Sequence, residues 1–274
     1  MPSARPALIE WLGEATSGAD ALGGKGASLD RLIRLGHRVP PGFCVTTTAF
    51  RAGPDAAAAI DAELATALDR LEAELAGLTG GTPRLAVRSS AIGEDSAADS
   101  FAGLHETELD VAPADVPAAI RRCWASLSSA PAVAYRARRG LSNDDAAMAV
   151  VVQALVPADA SAVVFTRHPV TGRDDHLVIT SVRGLGDAMV AGTVTPDTLV
   201  VDRATRAVVD FTLGEGSGEP VLGAAALSEL VELSLAVERG FGRAVDIEAA
   251  IAGPAWYLLQ ARPITTGTAI GAPR

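Results

Sequence analysis

Aromatic residues make up only 4% of the 274 positions, so the core of this chain cannot be organised around large rings. Alanine and the aliphatics Val, Leu and Ile supply most of the 49% apolar content, and side chains of that size suit packed layers of helix and sheet. There are only two cysteines, Cys44 and Cys123, far apart and without a CxxC spacing; neither a disulfide framework nor a zinc site is suggested, and a reduced cytoplasmic setting is expected. No stretch of about 18 uncharged apolar residues is present to cross a bilayer. The N-terminal segment also lacks the basic-then-apolar order of a secretory leader. Basic residues number 23 against 33 acidic, a net charge of −10, and phosphate neutralisation along a nucleic acid needs the opposite balance. The one basic cluster, Arg136, Arg138 and Arg139 in "YRARRG", reads as a solvated helix end.

Familiar catalytic signatures are missing as well. His37, His105, His168 and His176 show no metal-ligand spacing. Ser90 and Ser100 have no GxSxG surroundings, which argues against a serine hydrolase. "GLGD" at 184–187 lacks the third glycine of a dinucleotide fingerprint.

What is present is a succession of helices and strands in a chain long enough for one two-lobed domain or two small ones. "GGKGASLDRLIRLGHRVPPGF" reads as a glycine turn followed by an amphipathic helix that Gly36 and a proline pair end. Strand composition follows in "FCVTTTAF", a helix at 55–77, a short strand in "RLAV", a strand in "ETELDV" and helices over 115–140. "MAVVVQALV", "SAVVFT", "HLVITSV" and "DTLVVDR" are strands separated by turn signals. A helix at 226–242 precedes "AVDIEAAI" and "AWYLLQA", two strands joined by "AGP", and "TGTAIGAPR" reads as a tail.

Four places carry chemistry. The first is the terminal hairpin: if its strands pair antiparallel about Pro254, residues whose numbers sum to about 508 stand opposite one another. Glu248 then faces Gln260 and Asp246 faces Arg262, all on one side, with Ile247, Ile251, Tyr257, Leu259 and Ala261 on the other. A carboxylate beside an amide oxygen suits Mg²⁺, which takes few protein ligands when phosphates supply the rest, and the Arg262 fork can hold a phosphate oxygen. A surface hairpin with one ordinary Asp–Arg pair is the competing reading. Second, "GGKG" places Lys25 before a helix, where backbone N–H groups favour an anion. Third, "VRSSAIGEDSAADSFAG" sets Arg88 at a strand end, with Ser89 and Ser90 as hydrogen-bond donors and Gly93 and Gly103 permitting close backbone approach to a ligand. Fourth, Gln153 interrupts an apolar strand, and its amide requires a purine edge or a neighbouring backbone as partner.

Taken together and in order, "GGKGASLDRLIRLGHRVPPGFCVTTTAF", "VRSSAIGEDSAADSFAGLHET", "MAVVVQALV", "VVFTRHPVTG", "GLGDAMVAGTVTPDTLVVDR" and "DIEAAI" with "YLLQARPIT" resemble the N-terminal ATP-binding domain of the phosphoenolpyruvate synthase, pyruvate phosphate dikinase and rifampin phosphotransferase family. The resemblance covers nearly the whole chain. It implies an α/β (α+β) class and a two-lobed ATP-grasp fold with mixed and antiparallel sheets flanked by helices, one lobe over 1–155, a second over 156–266 and a tail at 267–274. It further implies that Lys25 and Arg88 bind the phosphates of ATP, with Gly103 and Thr107 in a phosphate-covering loop and Gln153 near the adenine. Glu248 and Gln260 would hold magnesium and Arg262 would contact the polyphosphate, with Lys25, Arg88 and Arg262 as the catalytic set. Leu104, Asp187 and the "SAV" at 161–163 depart from the family pattern.

Members of that family typically pass a phosphoryl unit from ATP to a histidine on a mobile domain, releasing AMP and phosphate. No segment with a carrier histidine follows residue 266, so the expected partner is a separate histidine-carrier protein, with neither nucleic acid nor membrane involved. A stand-alone kinase or ligase acting directly on a small-molecule acceptor is the alternative. A non-catalytic nucleotide-binding module is a third, disfavoured because a decayed site has no physical need for a costly polar cluster.

Overall fold

In the computed structural model, residues 7–76, 83–92, 107–140, 142–143, 146–215 and 218–264 are described. The chain divides into two compact units, Met1–Arg34 with Pro40–Leu155, and Leu35–Val39 with Val156–Arg274.

The first unit contains β1 (Ile9–Trp11), α1 (Ala19–Arg34), β2 (Gly42–Val45), α2 (Thr47–Ala52), α3 (Ala57–Ala76), β3 (Leu85–Ala91), β4 (Thr107–Val111), α4 (Val116–Ser126), α5 (Ala130–Arg139) and β5 (Met148–Ala154). Its five strands lie in the order β1-β2-β5-β3-β4, and every pairing is antiparallel. Alternation sorts the side chains into two faces. Phe43, Val45, Leu85, Val87, Met148, Val150 and Val152 point to one face and form a continuous core with Ile60, Leu64 and Leu71 of α3 and Ile120 and Cys123 of α4. α3 belongs there because its apolar residues Ile60, Leu64, Ala67, Leu71 and Leu75 recur every three or four positions and are all buried. Each such aliphatic side chain contributes about 1.5–3 kcal/mol on burial.

The opposite face carries Cys44, Arg88, Ser90, Val151 and Gln153 by register, and α1 packs on it. A Cβ on Gly26 would lie 3.1 Å from Cys44 Sγ and 3.6 Å from Val151 Cγ2. α1 begins at Ala19, so "GGKG" stands inside the helix and not in a turn ahead of it. The glycine signal is nevertheless real: Gly23 has φ 68° and breaks the helix. The Ser90 hydroxyl fills that break, accepting from the Gly26 N–H at 3.0 Å and donating to the Leu22 carbonyl at 2.7 Å. These two groups are four residues apart, the ordinary partners of one helical hydrogen bond; a side chain from β3 has been inserted between them. Gly23 is required by the same contact, since a Cβ there would fall 2.0 Å from the Ser90 carbonyl oxygen.

The second unit contains β6 (Ala160–Phe165), β7 (His176–Arg183), α6 (Asp187–Val190), β8 (Asp197–Asp202), β9 (Val208–Thr212), α7 (Ala224–Phe241), β10 (Val245–Ala252) and β11 (Ala255–Pro263). The six strands run in the order β11-β10-β6-β7-β8-β9, again with only antiparallel pairing. α7 buries Leu230, Val231, Leu235, Val237 and Phe241 and covers the sheet face bearing Ile247, Leu258, Val164 and Ile179, all fully buried. The Trp256 indole N–H, on that face, donates to the Ala226 carbonyl at 3.2 Å. Leu35–Val39 closes the edge at β11, where Leu258 N–H donates to the Arg38 carbonyl at 2.9 Å and the Arg38 guanidinium lies 5.6 Å from the Tyr257 ring centroid. The fold class is thus α+β, with helices segregated from antiparallel sheets. Neither the short β1 nor β9, whose residues are all exposed, is among the strands expected from composition. No described helix is long and apolar enough to cross a membrane.

Within the arginine cluster Arg138 is exposed as expected, but Arg136 is not. Arg136 is only 6% exposed, with its Nε donating to Asn143 Oδ1 at 2.7 Å and a terminal nitrogen to the Leu127 carbonyl at 2.7 Å. It ties α5 to the end of α4 and is no solvated cation.

Replacing Ser90 by alanine leaves a buried carbonyl and N–H facing each other across a broken helix. Urea unfolding should register a loss of about 1–3 kcal/mol, and Gly23→Ala, which adds a clash and a left-handed backbone, should lose more. Parent-like stability of both variants would refute the inserted-hydroxyl account.

Candidate functional site

In the first unit the expected ligands of a nucleotide share one face. Arg88 stands opposite Val151 on β5 and Thr107 on β4, and Gln153 follows two residues beyond Val151 on the same side. α1 lies over this face and carries Lys25, which is 5% exposed and sits on the buried side of the helix with Leu22, Gly26 and Leu29. Four sequence-predicted residues are therefore gathered on one surface by strand register and by the Ser90 link. Ser90 itself is not available to a ligand, because its hydroxyl is used within α1. Ser89 alternates to the apolar face. Thr107 is exposed at the start of β4, and Gly103 lies outside the described residues.

Gln153 is 2% exposed, and its amide nitrogen donates to the Pro40 carbonyl at 3.2 Å. Of the two partners open to it, a purine edge or a neighbouring backbone, the structure shows the backbone. The contact is tight: a Cβ on Gly42 would lie 2.8 Å from Gln153 Cγ and 2.3 Å from the Val152 carbonyl oxygen. Ala154 N–H donates to the Pro41 carbonyl at 2.9 Å, so the proline pair and the end of β5 are held side by side just before the chain leaves this unit.

In the second unit the hairpin register has Asp246 opposite Arg262 and Glu248 opposite Gln260, as the sum rule requires. Beyond Glu248 the register slips by one, with Ala249 opposite Leu258 and Ala250 opposite Tyr257. Leu259 is the extra residue of a β-bulge, which reverses alternation on the bulged strand. The expected apolar set is corrected accordingly: Trp256 and Leu258 face α7 with Ile247 and Ala261, whereas Tyr257 joins the polar face. The bulge leaves the turn-proximal half of β11 apolar toward α7 while Gln260 and Arg262 stay on the same side as Glu248.

The electrostatics of that face centre on Asp246, 7% exposed. Arg262 Nε and a terminal nitrogen lie 2.8 and 2.7 Å from Asp246 Oδ2, so part of the arginine fork is already engaged by the hairpin's own carboxylate. Burial pushes the Asp246 carboxyl above the usual carboxylate range; Arg262 opposes the shift and the neighbouring charge of Glu248 adds to it. Glu248 is half-buried and Gln260 is 5% exposed. The "GLGD" loop is anchored on the same face, where Ser161, opposite Ala250, donates its hydroxyl to the Gly184 carbonyl at 2.8 Å; Asp187 opens α6 directly after it.

No group of three or more His, Cys, Asp or Glu side chains placed to hold a metal ion occurs among the described residues. The donor set of one carboxylate and one amide oxygen fits a hard cation that completes its shell with water and phosphate oxygens, as Mg²⁺ does, and does not fit zinc. A cavity of about 430 Å³ in this unit is elsewhere, among Arg203, Arg206, Glu238, Arg239 and Arg243.

The first unit thus presents a cationic and amide-bearing sheet face, and the second a hairpin face with a carboxylate, an amide and a guanidinium. Comparison with known proteins supplies the family. The family described as "Pyruvate phosphate dikinase, AMP/ATP-binding domain" matches residues 55–220, and the chain belongs to that family. A probable phosphoenolpyruvate synthase of Archaeoglobus fulgidus is 33% identical over 94% of this chain and 42% of its own length. A rifampicin phosphotransferase of Streptomyces sviceus is 38% identical over 89% of this chain and 34% of its own, and the prodigiosin synthesizing transferase PigC of Serratia marcescens is 35% identical over 94% and 33%. The chain thus spans between a third and about two fifths of the length of these relatives. Among solved structures, D-alanine-D-alanine ligase from Helicobacter pylori is similar over 85% of this chain and 51% of its own at 10% identity and a TM-score of 0.36, too slight a likeness to argue from.

The raised Asp246 value has a definite sign. The folded chain binds this proton at higher pH than the unfolded chain, so the resulting stability is fully present below the unfolded carboxylate value and is lost as pH rises through the folded one. In urea titrations with EDTA, the difference in unfolding free energy between the parent and Asp246→Asn should shrink as pH goes from acid to neutral. A difference that grows with pH would contradict the assignment.

Proposed function

We propose that this chain binds Mg-ATP and acts as an ATP-dependent phosphotransferase subunit, passing a phosphoryl (pyrophosphoryl) group to a histidine on a separate carrier protein and leaving AMP and phosphate. The observation that carries the reading is the gathering of Lys25, Arg88, Thr107 and Gln153 on one sheet face in a chain of the AMP/ATP-binding family. Phosphoryl transfer asks the protein chiefly for positioning and charge neutralisation, and this chain's residues supply both. Lys25 acts as a point charge on the phosphates, with Arg88 as a planar fork. Gly103 and Thr107 are assigned to covering the phosphates. Gln153, held by Pro40, orients the base. Glu248 and Gln260 hold the metal, which neutralises developing charge when bound, and Arg262 exchanges part of its Asp246 contact for a phosphate oxygen. Cys44 and Cys123 are buried and outside any disulfide, which fits a reducing cytoplasmic setting.

A direct kinase or ligase acting on a small molecule is the second reading. What favours it is that two of the relatives are named for small-molecule transfers, to rifampicin and in prodigiosin synthesis. The products separate the two: incubation of the purified chain with Mg-ATP should give AMP and phosphate only when a histidine carrier is added. ADP formation with a small acceptor alone would defeat the carrier reading.

Glu248→Ala should abolish Mg-dependent ATP binding with the circular dichroism spectrum unchanged, and unaltered binding would remove the metal assignment. Lys25→Ala should weaken ATP about tenfold or more while weakening AMP much less, as expected for loss of a charge-assisted phosphate contact. Equal loss for both nucleotides in calorimetry would place Lys25 away from the phosphates.

A further inference from the structure

We propose a second anion site in the C-terminal unit, separate from the hairpin and selective for a small molecule carrying two or more phosphoryl groups. The site is the cavity of about 430 Å³ lined by Arg203, Arg206, Leu235, Glu238, Arg239 and Arg243. Four guanidinium groups against one lining carboxylate stand out in a chain whose net charge is −10. The volume falls within the range of small-ligand sites.

The arginines fall into two pairs with different duties. Arg203 and Arg206 come from the tight turn after β8, which Asp202 holds rigid by accepting from the Ala204 and Thr205 N–H groups and the Thr205 hydroxyl. Arg203 is committed within the fold: its Nε donates to the Asp174 carbonyl at 2.7 Å, one terminal nitrogen to Glu238 at 2.7 Å and the other also to the Thr166 carbonyl. Arg206, at φ 64°, is paired with Glu232 at 2.6 Å. A left-handed non-glycine backbone costs on the order of 1–3 kcal/mol, so the turn holds this side chain in place against a local preference. Arg239 and Arg243 come from the end of α7 and the residues just after it. Both are exposed, and neither has a carboxylate partner among the described residues.

The helix end does not cancel this charge. The C-terminal partial charge of a helix is about half an electron, and here Gly242 N–H already caps the Glu238 and Arg239 carbonyls at 2.8 and 3.2 Å. Two full cations without partners outweigh that remainder. Guanidinium forks from Arg239 and Arg243 recognise planar or tetrahedral oxyanions bidentately. Because they are two separate forks, four residues apart in sequence at the end of α7, the ligand that satisfies both carries more than one phosphoryl group.

The chemistry is common to inorganic pyrophosphate and to the diphosphate tail of a nucleotide, and a titration followed by ¹H–¹⁵N NMR on the full chain distinguishes them. Pyrophosphate should move the amides of Arg206, Gly242 and Arg243 saturably, and Arg239→Gln/Arg243→Gln should weaken that response at least tenfold without changing the melting temperature. ADP moving the same amides at lower concentration would identify the nucleotide as the source; pyrophosphate acting alone would identify the inorganic ion. Signals from Lys25 and Glu248 report the proposed Mg-ATP site independently. The proposal is overturned if these three amides do not respond, if the double variant responds as the parent does, or if sulfate at equal ionic strength produces the same shifts.

Discussion

One hydroxyl group organises the first unit. Ser90, inserted between the Gly26 N–H and the Leu22 carbonyl, completes α1 with a group from β3, 64 residues away in sequence. A helix broken at a left-handed glycine would otherwise leave two buried polar groups unpaired, each a penalty of about 1–3 kcal/mol. By making β3 part of the helix's own hydrogen-bond ladder, the contact fixes both the height and the rotation of α1 over the sheet. Lys25, one residue before Gly26, is carried with it onto the face that holds Arg88, Thr107 and Gln153. The placement of the unit's only lysine over its phosphate candidates thus follows from backbone satisfaction, not from a direct attraction between side chains.

The second unit solves a different problem. A terminal hairpin must present a buried carboxylate, an amide and a guanidinium on one side and an apolar surface to α7 on the other. Strict alternation along β11 would send Trp256 and Leu258 to the polar side together with Gln260 and Arg262. The bulge at Leu259 resolves the conflict by letting apolar residues on one half of the strand and polar ones on the other occupy opposite faces. Asp246 is the most deeply buried of the charged members, and the Arg262 fork offsets part of the cost.

Much of this was legible in the sequence because it depends on local rules. Centring the hairpin on Pro254 follows from two strand-like runs joined by "AGP" and gives the pairs 246–262 and 248–260, although the actual turn at Gly253 and Pro254 reaches that register only through the bulge. The apolar period of α3 and α7 and the continuous run of β5 mark those elements plainly. What was not legible depends on partners distant in sequence or on equal-looking neighbours. Leu258 and Leu259 are chemically identical, so nothing along β11 reveals which is the extra residue. "GGKG" suggested a turn because the group that permits a helix there, the Ser90 hydroxyl, belongs to another strand. Arg136 looked like a surface cation because Asn143 and the Leu127 carbonyl that bury it lie outside the "YRARRG" run. The exposed β9 escaped notice for a similar reason: an edge strand with two wet faces has no periodic signature. Gln153 was divided between a base and a backbone partner, and the Pro40 carbonyl now accounts for its amide nitrogen.

On the proposed reading, Ser90 acts on nucleotide binding only by holding Lys25 in place. A double-mutant cycle on ATP affinity tests it directly, with Ser90→Ala, Lys25→Ala and the combined variant measured by calorimetry. The account predicts that Ser90→Ala weakens ATP severalfold in the parent and has no further effect once Lys25 is gone. Independent, additive losses would contradict it.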